Sequence, residues 1–295
     1  MDRLLPLIKI LPKDLLMDSN IDEKKFNELN EIRVRVGQPL RLIMLNREQT
    51  GHIKVTSEHI MNIMECATQH SMAVYENDLR QGFITIAGGH RIGIGGTVIA
   101  ENNSVKNFKY ITFLCIRVAH EIIGCADNIM EFICKRNKVE HTLIVSPAGC
   151  GKTTLLRDII RQLSNGVYGI KKNICVIDER SELAACYRGI PQNNLGSSCD
   201  VYDGCPKSVG MMMAIRSMCP EIIAVDEIGG KDDFESLKYA IYCGSTIIGT
   251  IHGENIKDIM SKKYIDEFIK EKVFKRIIVL SGNAKKGSVE QCIEL

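Results

Sequence analysis

The sequence predicts an α/β protein in which an α+β N-terminal domain precedes a C-terminal domain built on a mostly parallel sheet. From residue 139 onward, apolar strand-like runs alternate with segments of helical periodicity, the pattern of parallel strands joined by helical crossovers. Before residue 124, short helices mix with strands in which polar and apolar residues alternate. We therefore place the N-terminal domain at 1–124, a connecting helix or linker at 125–138 and the C-terminal domain at 139–295.

Composition narrows the class of protein. The 295 residues suffice for one large or two ordinary domains, and 45% hydrophobic with 25% charged residues is typical of soluble globular chains. A formal net charge of +2 gives no general attraction to nucleic acid, which we do not expect as a partner. The 12 cysteines are scattered without a C-x-x-C pair, so we expect neither a zinc site nor a disulfide framework. With no signal-peptide pattern and no apolar run of ~20 residues, a cytoplasmic location is expected.

The N-terminal elements follow from alternation and capping signals. Strict alternation over 31–36 predicts a half-buried strand, and Thr56 is a candidate N-cap for the helix that follows it. Arg33 and Arg35 alternate to one side of their strand, where they face solvent, an acidic partner or the neighbouring domain. The predicted elements are short helices over 1–30, strands over 31–36, 40–45, 83–86 and 113–118, and a helix over 57–64.

The C-terminal elements alternate in type. A Lys-rich segment between residues 257 and 276 is interpreted as a solvated helical face. The predicted strands are 141–145, 173–177, 221–225, 246–250 and, as the last, 277–280; the predicted helices are 152–163, 207–218 and 234–243.

The stretch 143–154 (LIVSPAGCGKTT) joins a buried strand to a helix through a loop of small residues. In that context backbone N–H groups and the helix N-terminus bind phosphate oxygens. Lys152 would reach the β- and γ-phosphates of ATP, and the Thr153 hydroxyl would ligate Mg²⁺. One departure from the usual pattern is Ser146, which takes the place of a glycine. The candidate nucleotide-binding residues are Ser146, Pro147, Ala148, Gly149, Cys150, Gly151, Lys152, Thr153 and Thr154.

Two strands end in carboxylates. Asp226 and Glu227 follow the apolar run 222–225, so Asp226 would hold Mg²⁺ through its water shell and Glu227 would orient or deprotonate the attacking water. Asp178 and Glu179 repeat the arrangement on the strand after the loop helix, which makes Glu179 the alternative base. The second cluster also fits a helix N-terminus with favourable charges. The sequence leaves both Glu227 and Glu179 as candidates for the base.

Two further side chains are candidates for the chemistry. His252 ends another strand, where it or Thr250 would sense the γ-phosphate, polarise water or relay nucleotide state to a neighbouring subunit. Arg216 precedes the Asp226 strand and would act in its own subunit, on a neighbour's γ-phosphate, or only as a surface partner of Glu221.

Motifs in both halves of the chain resemble the stage III sporulation protein AA family, the ATPases of the endospore engulfment channel. That family is similar to the hexameric motor ATPases of type II and type IV secretion systems. The motifs that carry the resemblance are 31–39 (EIRVRVGQP), 79–85 (LRQGFIT), 88–91 (GGHR), 155–158 (LLRD), 176–182 (VIDERSE), 200–207 (DVYDGCPK), 210–213 (GMMM), 215–218 (IRSM) and 225–229 (VDEIG).

The resemblance implies a RecA-like P-loop ATPase that uses ATP and Mg²⁺ and forms a homo-oligomer, expected to be a hexamer. An acidic box, a Mg²⁺-binding strand and a histidine box would correspond to Glu179, Asp226 and His252. The protein would act with the other stage III sporulation proteins at the inner membrane, on the mother-cell side, and would assemble or drive a channel feeding the forespore. Ser197 and Ser198 stand where the family has an arginine and a threonine, which leaves any role of that arginine open.

Two other functions remain open. The same core drives helicase-like rings, so a nucleic-acid-stimulated P-loop ATPase is one alternative, although 5% aromatic residues and a near-neutral charge argue against it. The other is a scaffold in which ATP binding orders a docking platform with little hydrolysis. The carboxylates Glu179 and Glu227 argue against that second alternative.

Overall fold

The structure, a computed structural model, describes residues 3–101, 104–135, 138–166, 169–282 and 287–295, except for the side chain of Asn77. The chain divides into two compact units. The first comprises Met1–His120 with Ala185–Gln192, and the second comprises Glu121–Ala184 with Asn193–Leu295. The domain boundaries drawn from the sequence at 124 and 139 stay predictions.

The N-terminal unit is a six-stranded antiparallel sheet with one face covered by helices. The strand order is β3-β2-β1-β6-β5-β4. Its elements are α1 (Leu4–Ile10), α2 (Lys13–Ser19), α3 (Glu23–Glu28), β1 (Leu29–Arg35), β2 (Pro39–Met44), β3 (Glu48–Lys54), α4 (Ser57–Ala67), α5 (Glu76–Gln81), β4 (Phe83–Thr85), β5 (Arg91–Glu101) and β6 (Ser104–Arg117), with single 3₁₀ turns at Met72–Tyr75 and Ala87–Gly89.

Local sequence signals explain most of this unit. In β1, Ile32 and Val34 are fully buried while the residues between them face the other side, as strict alternation requires. The predicted cap is confirmed: the Thr56 hydroxyl accepts a hydrogen bond of 3.2 Å from the backbone N–H of His59. The helix α4 runs to Ala67, three residues beyond its predicted end.

The edge strand β3 was not predicted, because its residues are mostly polar and exposed. A residue distant in sequence holds it in place. The carboxylate of Asp18 accepts hydrogen bonds from the backbone N–H groups of His52 and Ile53, at 2.7 and 3.0 Å. Only the folded chain supplies this partner, so local periodicity does not reveal the strand.

The second unit is a seven-stranded sheet in the order β11-β10-β12-β13-β9-β14-β15, parallel from β11 to β14 and antiparallel at β15. The predicted α/β class is confirmed. Its elements are α6 (Met130–Ile133), β7 (Cys134–Lys135), β8 (Lys138–Val139), β9 (Thr142–Ser146), α7 (Lys152–Asn165), β10 (Ile174–Asp178), β11 (Cys199–Asp203), α8 (Lys207–Ser217), β12 (Ile222–Val225), α9 (Lys231–Tyr242), β13 (Thr246–His252), α10 (Ile256–Met260), α11 (Ile265–Lys270), β14 (Arg276–Leu280) and β15 (Val289–Glu294), with one 3₁₀ turn at Asp127–Ile129.

Within the predicted connecting helix or linker at 125–138, the α-helix covers only α6, after one 3₁₀ turn, because the chain turns beyond Ile133 into the small hairpin of β7 and β8. The carbonyl of Phe132 accepts a hydrogen bond of 2.8 Å from Arg276, and the carbonyl of Ile133 accepts one from Glu140. These partners take carbonyl groups that a longer helix would have used internally.

Three other differences lie near the sheet edges. Strands β11 and β15 were not predicted, and β14 is therefore not the last strand. Both missed strands pair at the margins of the sheet and have mostly exposed or half-buried residues. The Lys-rich segment is solvated only in part, because its helices bury Ile259, Ile265 and Phe268 in the core.

Within the described ranges, no helix is long and apolar enough to cross a membrane.

Candidate active site

The loop between β9 and α7 has the backbone shape that its glycines allow. Gly149 and Gly151 have φ of 75° and 98°, in the left-handed region that glycine enters without strain. Ser146 ends β9 in register with His252, in ordinary strand conformation, and its hydroxyl donates to the carbonyl of Pro147 at 2.8 Å. A glycine is therefore not needed at position 146, which explains why serine fits there.

Lys152 is folded back onto this loop. Its side chain is buried, with 5% of the residue exposed, and Nζ donates to the carbonyls of Ser146 and Pro147, both at 3.0 Å. Burial lowers the pKa of this lysine, while the nearby carboxylates of Asp226 and Glu227 oppose that shift. The ammonium thus lies at the base of the loop beside two acids.

Asp226 joins the loop helix to two strand ends. The Thr153 hydroxyl donates to Oδ2 of Asp226 at 2.7 Å, and the Thr250 hydroxyl donates to Oδ1. The predicted pair of Thr153 and Asp226 is therefore brought together. Thr250, which is fully buried, also accepts a hydrogen bond of 2.8 Å from the backbone N–H of Glu227.

Glu227 is held at both carboxylate oxygens. His252 Nε2 lies 2.9 Å from Oε1, and the guanidinium of Arg180 pairs with Oε2. His252 Nδ1 lies 3.2 Å from Lys152 Nζ, so an imidazole with its hydrogen on Nε2 links lysine to glutamate. Glu227 has φ of +55°, an uncommon value for a residue with a side chain, and such strain clusters at functional sites.

The structure separates the two glutamates that the sequence left as alternatives. A cavity of about 570 Å³ is lined by the loop residues, His252, Glu227, Arg180 and Glu182. Glu179 does not line it; its carboxylate pairs with Lys207, the first residue of α8. The geometry places Glu227, rather than Glu179, beside the loop.

The interpretation of 178–180 as a helix N-terminus is wrong, because no helix follows β10 directly. Asp178 is instead buried, and its carboxylate accepts hydrogen bonds from the backbone N–H groups of Glu182 and Ala184, at 2.9 and 2.8 Å. Arg157 of α7 secures the same turn from the other side by donating to the carbonyls of Glu182 and Leu183.

Arg216 is not brought to this site. It is exposed near the end of α8, roughly 13 Å along the helix from Lys207 at a rise of about 1.5 Å per residue. Arg216 does not line the cavity of its own subunit. The carboxylate of Glu221 is bonded to Lys172 and the backbone of Asn173, so Glu221 is not the partner of Arg216. A role at a neighbour's site stays a prediction.

Ser197 and Ser198 lie just before β11, at the end of the sheet away from the loop. The backbone N–H of Ser197 donates to Asn165, and that of Ser198 donates to Ser164. Both acceptors are in the last turn of α7, whereas Lys152 begins that helix. These two departures from the family pattern do not alter the cavity of their own subunit.

Arg180 is the functional residue that sequence reasoning missed. It adjoins Glu179 in the acidic cluster, and nothing in that pattern shows that the side chain reaches an acid on a different strand. The only signal is that Arg180 follows the C-terminal end of β10, and ligands bind beyond the carboxyl ends of parallel strands.

The titration of Asp178 gives a stability prediction. Burial is the largest influence and raises the pKa of this carboxyl to about 6, although three backbone N–H groups oppose it. A raised folded-state pKa stabilises the protein fully below the unfolded value, and this contribution is lost as pH rises through about 6. Between about pH 4 and pH 7.5 the loss amounts to about 2 kcal/mol, since one pKa unit is worth about 1.4 kcal/mol.

Urea unfolding of wild type and Asp178→Asn at both pH values measures this contribution. The destabilisation caused by the substitution is expected to be smaller at the higher pH, because wild type has already lost the contribution there. An equal or larger destabilisation at the higher pH would show that the backbone hydrogen bonds outweigh burial.

Comparisons with known proteins agree with this fold. The family model described as "Sporulation stage III, protein AA" matches residues 3–294. Stage III sporulation protein AA of Bacillus subtilis (strain 168) is 38% identical over 291 residues, which cover 97% of this chain and 93% of that protein. The uncharacterized protein ycf45 of Cyanidium caldarium is 26% identical over 71% of this chain and 56% of its own length.

Two solved structures share the architecture. The ATPase DotB of Yersinia pseudotuberculosis has a TM-score of 0.63 at 15% identity, covering 91% of this chain and 75% of that one. The pilus retraction motor PilT with bound ADP has a TM-score of 0.61 at 15% identity, covering 91% and 78%. At this identity the likeness shows the fold alone, that of the RecA-like secretion ATPases. The family match covers nearly the whole length of the chain and therefore shows more than the fold: this chain belongs to the stage III sporulation protein AA family.

Proposed function

We propose that this chain is a Mg²⁺-dependent ATPase whose site is the cavity beside residues 146–154. The observation that carries the proposal is the hydrogen bond of 2.7 Å between Thr153 Oγ1 and Asp226 Oδ2, beside the buried Lys152. It joins the loop helix to an acidic strand end, the arrangement that phosphoryl-transfer sites of this class use for nucleotide and metal.

The residues present fit Mg²⁺. Within the described part of the chain no three His, Cys, Asp or Glu side chains form a group able to hold a metal alone. Mg²⁺ needs no such group, because it is usually bound through one or two carboxylates, water and substrate phosphates. Thr153 and Asp226 supply the matching oxygen atoms. When bound, the ion would neutralise charge on the phosphate oxygens.

The side chains divide the remaining work. The ammonium of Lys152, which now donates to two carbonyls of its own loop, would donate to the β- and γ-phosphates instead. The carboxylate of Glu227 would orient the attacking water. His252 would sense the γ-phosphate, because its ring lies within hydrogen-bond distance of both Lys152 and Glu227. Pro147, Ala148, Gly149, Cys150, Gly151 and Thr154 would shape the phosphate cradle, and Glu179 would act only indirectly.

One observation favours the scaffold as a second candidate. Both oxygens of Glu227 are engaged, by His252 and by Arg180, and these two partners compete with an attacking water for the carboxylate lone pairs. Opening either bond would free a lone pair of Glu227 for the attacking water. A chain that binds ATP without opening them would act as an ATP-dependent platform.

In the cell, we place this ATPase with the stage III sporulation channel. Family membership supports a sporulation role, and the shared fold of secretion and pilus motors supports energy-driven assembly or transport. The protein would work as a homo-oligomer, a hexamer by analogy, at the mother-cell side of the inner membrane with other stage III proteins. In such a ring the exposed Arg216 would reach a neighbour's γ-phosphate, where a charge-neutralising arginine is worth ~10³-fold or more in rate.

Asp226→Asn is expected to weaken the apparent Mg²⁺ affinity of the ATP complex by about 10–100-fold, the usual cost of losing a group that supports a metal's ligands. The amide keeps the size of the carboxylate but removes its charge, so ATP binding without metal should change little. Titration of Mg²⁺ against phosphate release, together with binding of a fluorescent ATP analogue without metal, measures both quantities.

Asp232→Asn is the matched control, because Asp232 is an exposed carboxylate on α9 and leaves the cavity untouched. Its Mg²⁺ dependence should equal that of wild type. If Asp226→Asn titrates like wild type as well, Asp226 does not serve the metal and the proposed site is wrong.

A further inference from the structure

The two faces of the N-terminal sheet differ sharply in chemistry. The face toward the helices is aliphatic, with Ile32, Val34, Leu114 and Ile116 buried. Strand registers place a set of arginines together on the opposite face, where Arg33 lies opposite Arg41, and Arg91 opposite Arg117. We call this the arginine face, defined by Arg33, Arg35, Arg41, Arg91 and Arg117.

The arginine face is open and positively charged. Arg35 and Arg117 are exposed, and the other three arginines are half-buried at the sheet surface. Glu31 and Glu48 are the acids at registered positions on this side, so five positive charges meet two negative ones and the net charge is +3. The near-neutral chain thus concentrates positive charge on one flat surface, which favours an acidic partner.

The face already binds two carboxylates of its own. Arg41 takes Glu48 through two hydrogen bonds, of 2.6 and 2.8 Å, and Arg33 Nε donates to Glu31 at 2.8 Å. Planar guanidinium groups match carboxylates in this two-pronged way. Among the described side chains, Arg35 and Arg117 have no hydrogen-bonded carboxylate, which leaves two donors for an external acid.

The aromatic rings on this side argue against single-stranded nucleic acid. Such ligands need open ring faces on which bases stack. The Arg91 guanidinium lies 4.2 Å from the centre of the Phe83 ring and covers it. The Phe113 ring packs against Gly95, where a Cβ atom would be 1.9 Å from Cζ of the ring.

We propose that the arginine face docks an extended acidic segment of a partner protein, whose carboxylates bind Arg35 and Arg117. Arg35 lies opposite Phe113, which is four residues from Arg117 along β6, so the two arginines are ~13 Å apart along the strand at ~3.3 Å per residue. Acidic residues four positions apart in an extended segment match this separation. The proposal involves no residue of the nucleotide site and stands or falls independently of it.

Fluorescence anisotropy with a labelled 12-residue peptide of alternating Glu and Ser tests the proposal on the full chain. Wild type should bind this peptide, more weakly as salt is raised, because exposed charge pairs are screened. The double variant Arg35→Ala/Arg117→Ala should bind about tenfold more weakly, since it loses two exposed ion pairs, each of modest strength. Circular dichroism confirms that the variant folds, as expected for two exposed side chains.

Arg47→Ala/Arg80→Ala is the matched control, because these exposed arginines of the same unit pair with Glu28 and Glu76 outside the arginine face. Its affinity for the peptide should equal that of wild type. If both double variants bound the peptide equally weakly, the binding would be due to general charge attraction, and the proposal would be overturned. The proposal would also be overturned if a labelled 12-nucleotide thymidine strand bound wild type more tightly than the peptide does and lost this binding in the Arg35→Ala/Arg117→Ala variant. Loss of self-association in that variant, measured by sedimentation, would overturn it as well.

Discussion

Lys152→Ala is expected to weaken ATP binding about 100-fold and to reduce phosphate release to background. The loop holds the buried ammonium at its base, and hydrogen bonds to charged groups contribute about 1.5–3 kcal/mol each. At about 1.4 kcal/mol per tenfold, one such bond to each of two phosphates accounts for this loss. Equilibrium binding of a fluorescent ATP analogue measures the affinity, and a coupled phosphate assay measures the rate.

The substitution also leaves the carbonyls of Ser146 and Pro147 without their donor, so a loss of folding must be separated from a loss of binding. Thermal unfolding without nucleotide serves this purpose. Lys231→Ala is the control, because Lys231 is exposed at the start of α9 and pairs only with Glu235 among the described side chains. A folded Lys152→Ala protein that binds and hydrolyses ATP like wild type would exclude the loop as the nucleotide site.

Glu227→Gln is expected to lower the rate of ATP hydrolysis by about 10²–10⁴-fold, the usual contribution of a positioned general base, while ATP affinity is retained. The amide keeps the shape of the side chain and accepts a hydrogen bond from His252 or Arg180, but it cannot take a proton from water. Single-turnover hydrolysis, with ATP binding measured in parallel, separates the chemical step from affinity.

Glu179→Gln is the comparison that decides between the two acids. Glu179 pairs with Lys207 and does not line the cavity, so its loss should change the rate by less than about tenfold, in the range of an exposed ion pair. If Glu179→Gln abolishes hydrolysis while Glu227→Gln remains active, the assignment of the base is reversed.

The loop and the acidic strand ends were predictable because the residues that identify each of them lie close together in the sequence. Gly149, Gly151, Lys152 and Thr153 lie within a few residues, and a buried strand before them and a helix after them fix where they point. Asp226 follows a fully buried strand, and parallel strands deliver such residues to one edge. These local patterns sufficed for the α/β class and for the pair of Thr153 and Asp226.

The partners of Glu227 were not predictable, because they come from other strands. Arg180 follows β10 and His252 ends β13, on either side of β12 in the sheet, and only the three-dimensional order brings their side chains to one carboxylate. The left-handed backbone of Glu227 is likewise invisible in the sequence, since hydrogen bonds to Thr250 maintain it.

Three of the missed strands have a similar cause. Strands β3, β11 and β15 lie at sheet edges and have no fully buried residue, so hydrophobic alternation is weak there. Distant contacts from Asp18 hold β3. Arg216 is a different case, because it is near Asp226 in the sequence but does not line the cavity. It lies in the last turn of α8.

The most direct test of the central claim is steady-state phosphate release from ATP by the wild-type chain, with and without Mg²⁺, over a range of protein concentrations. A hydrolytic site completed by neighbouring copies predicts release that requires Mg²⁺ and a rate per chain that rises with protein concentration. Tight ATP binding with no release above the Lys152→Ala background, at any concentration, would contradict an ATPase and leave an ATP-binding platform.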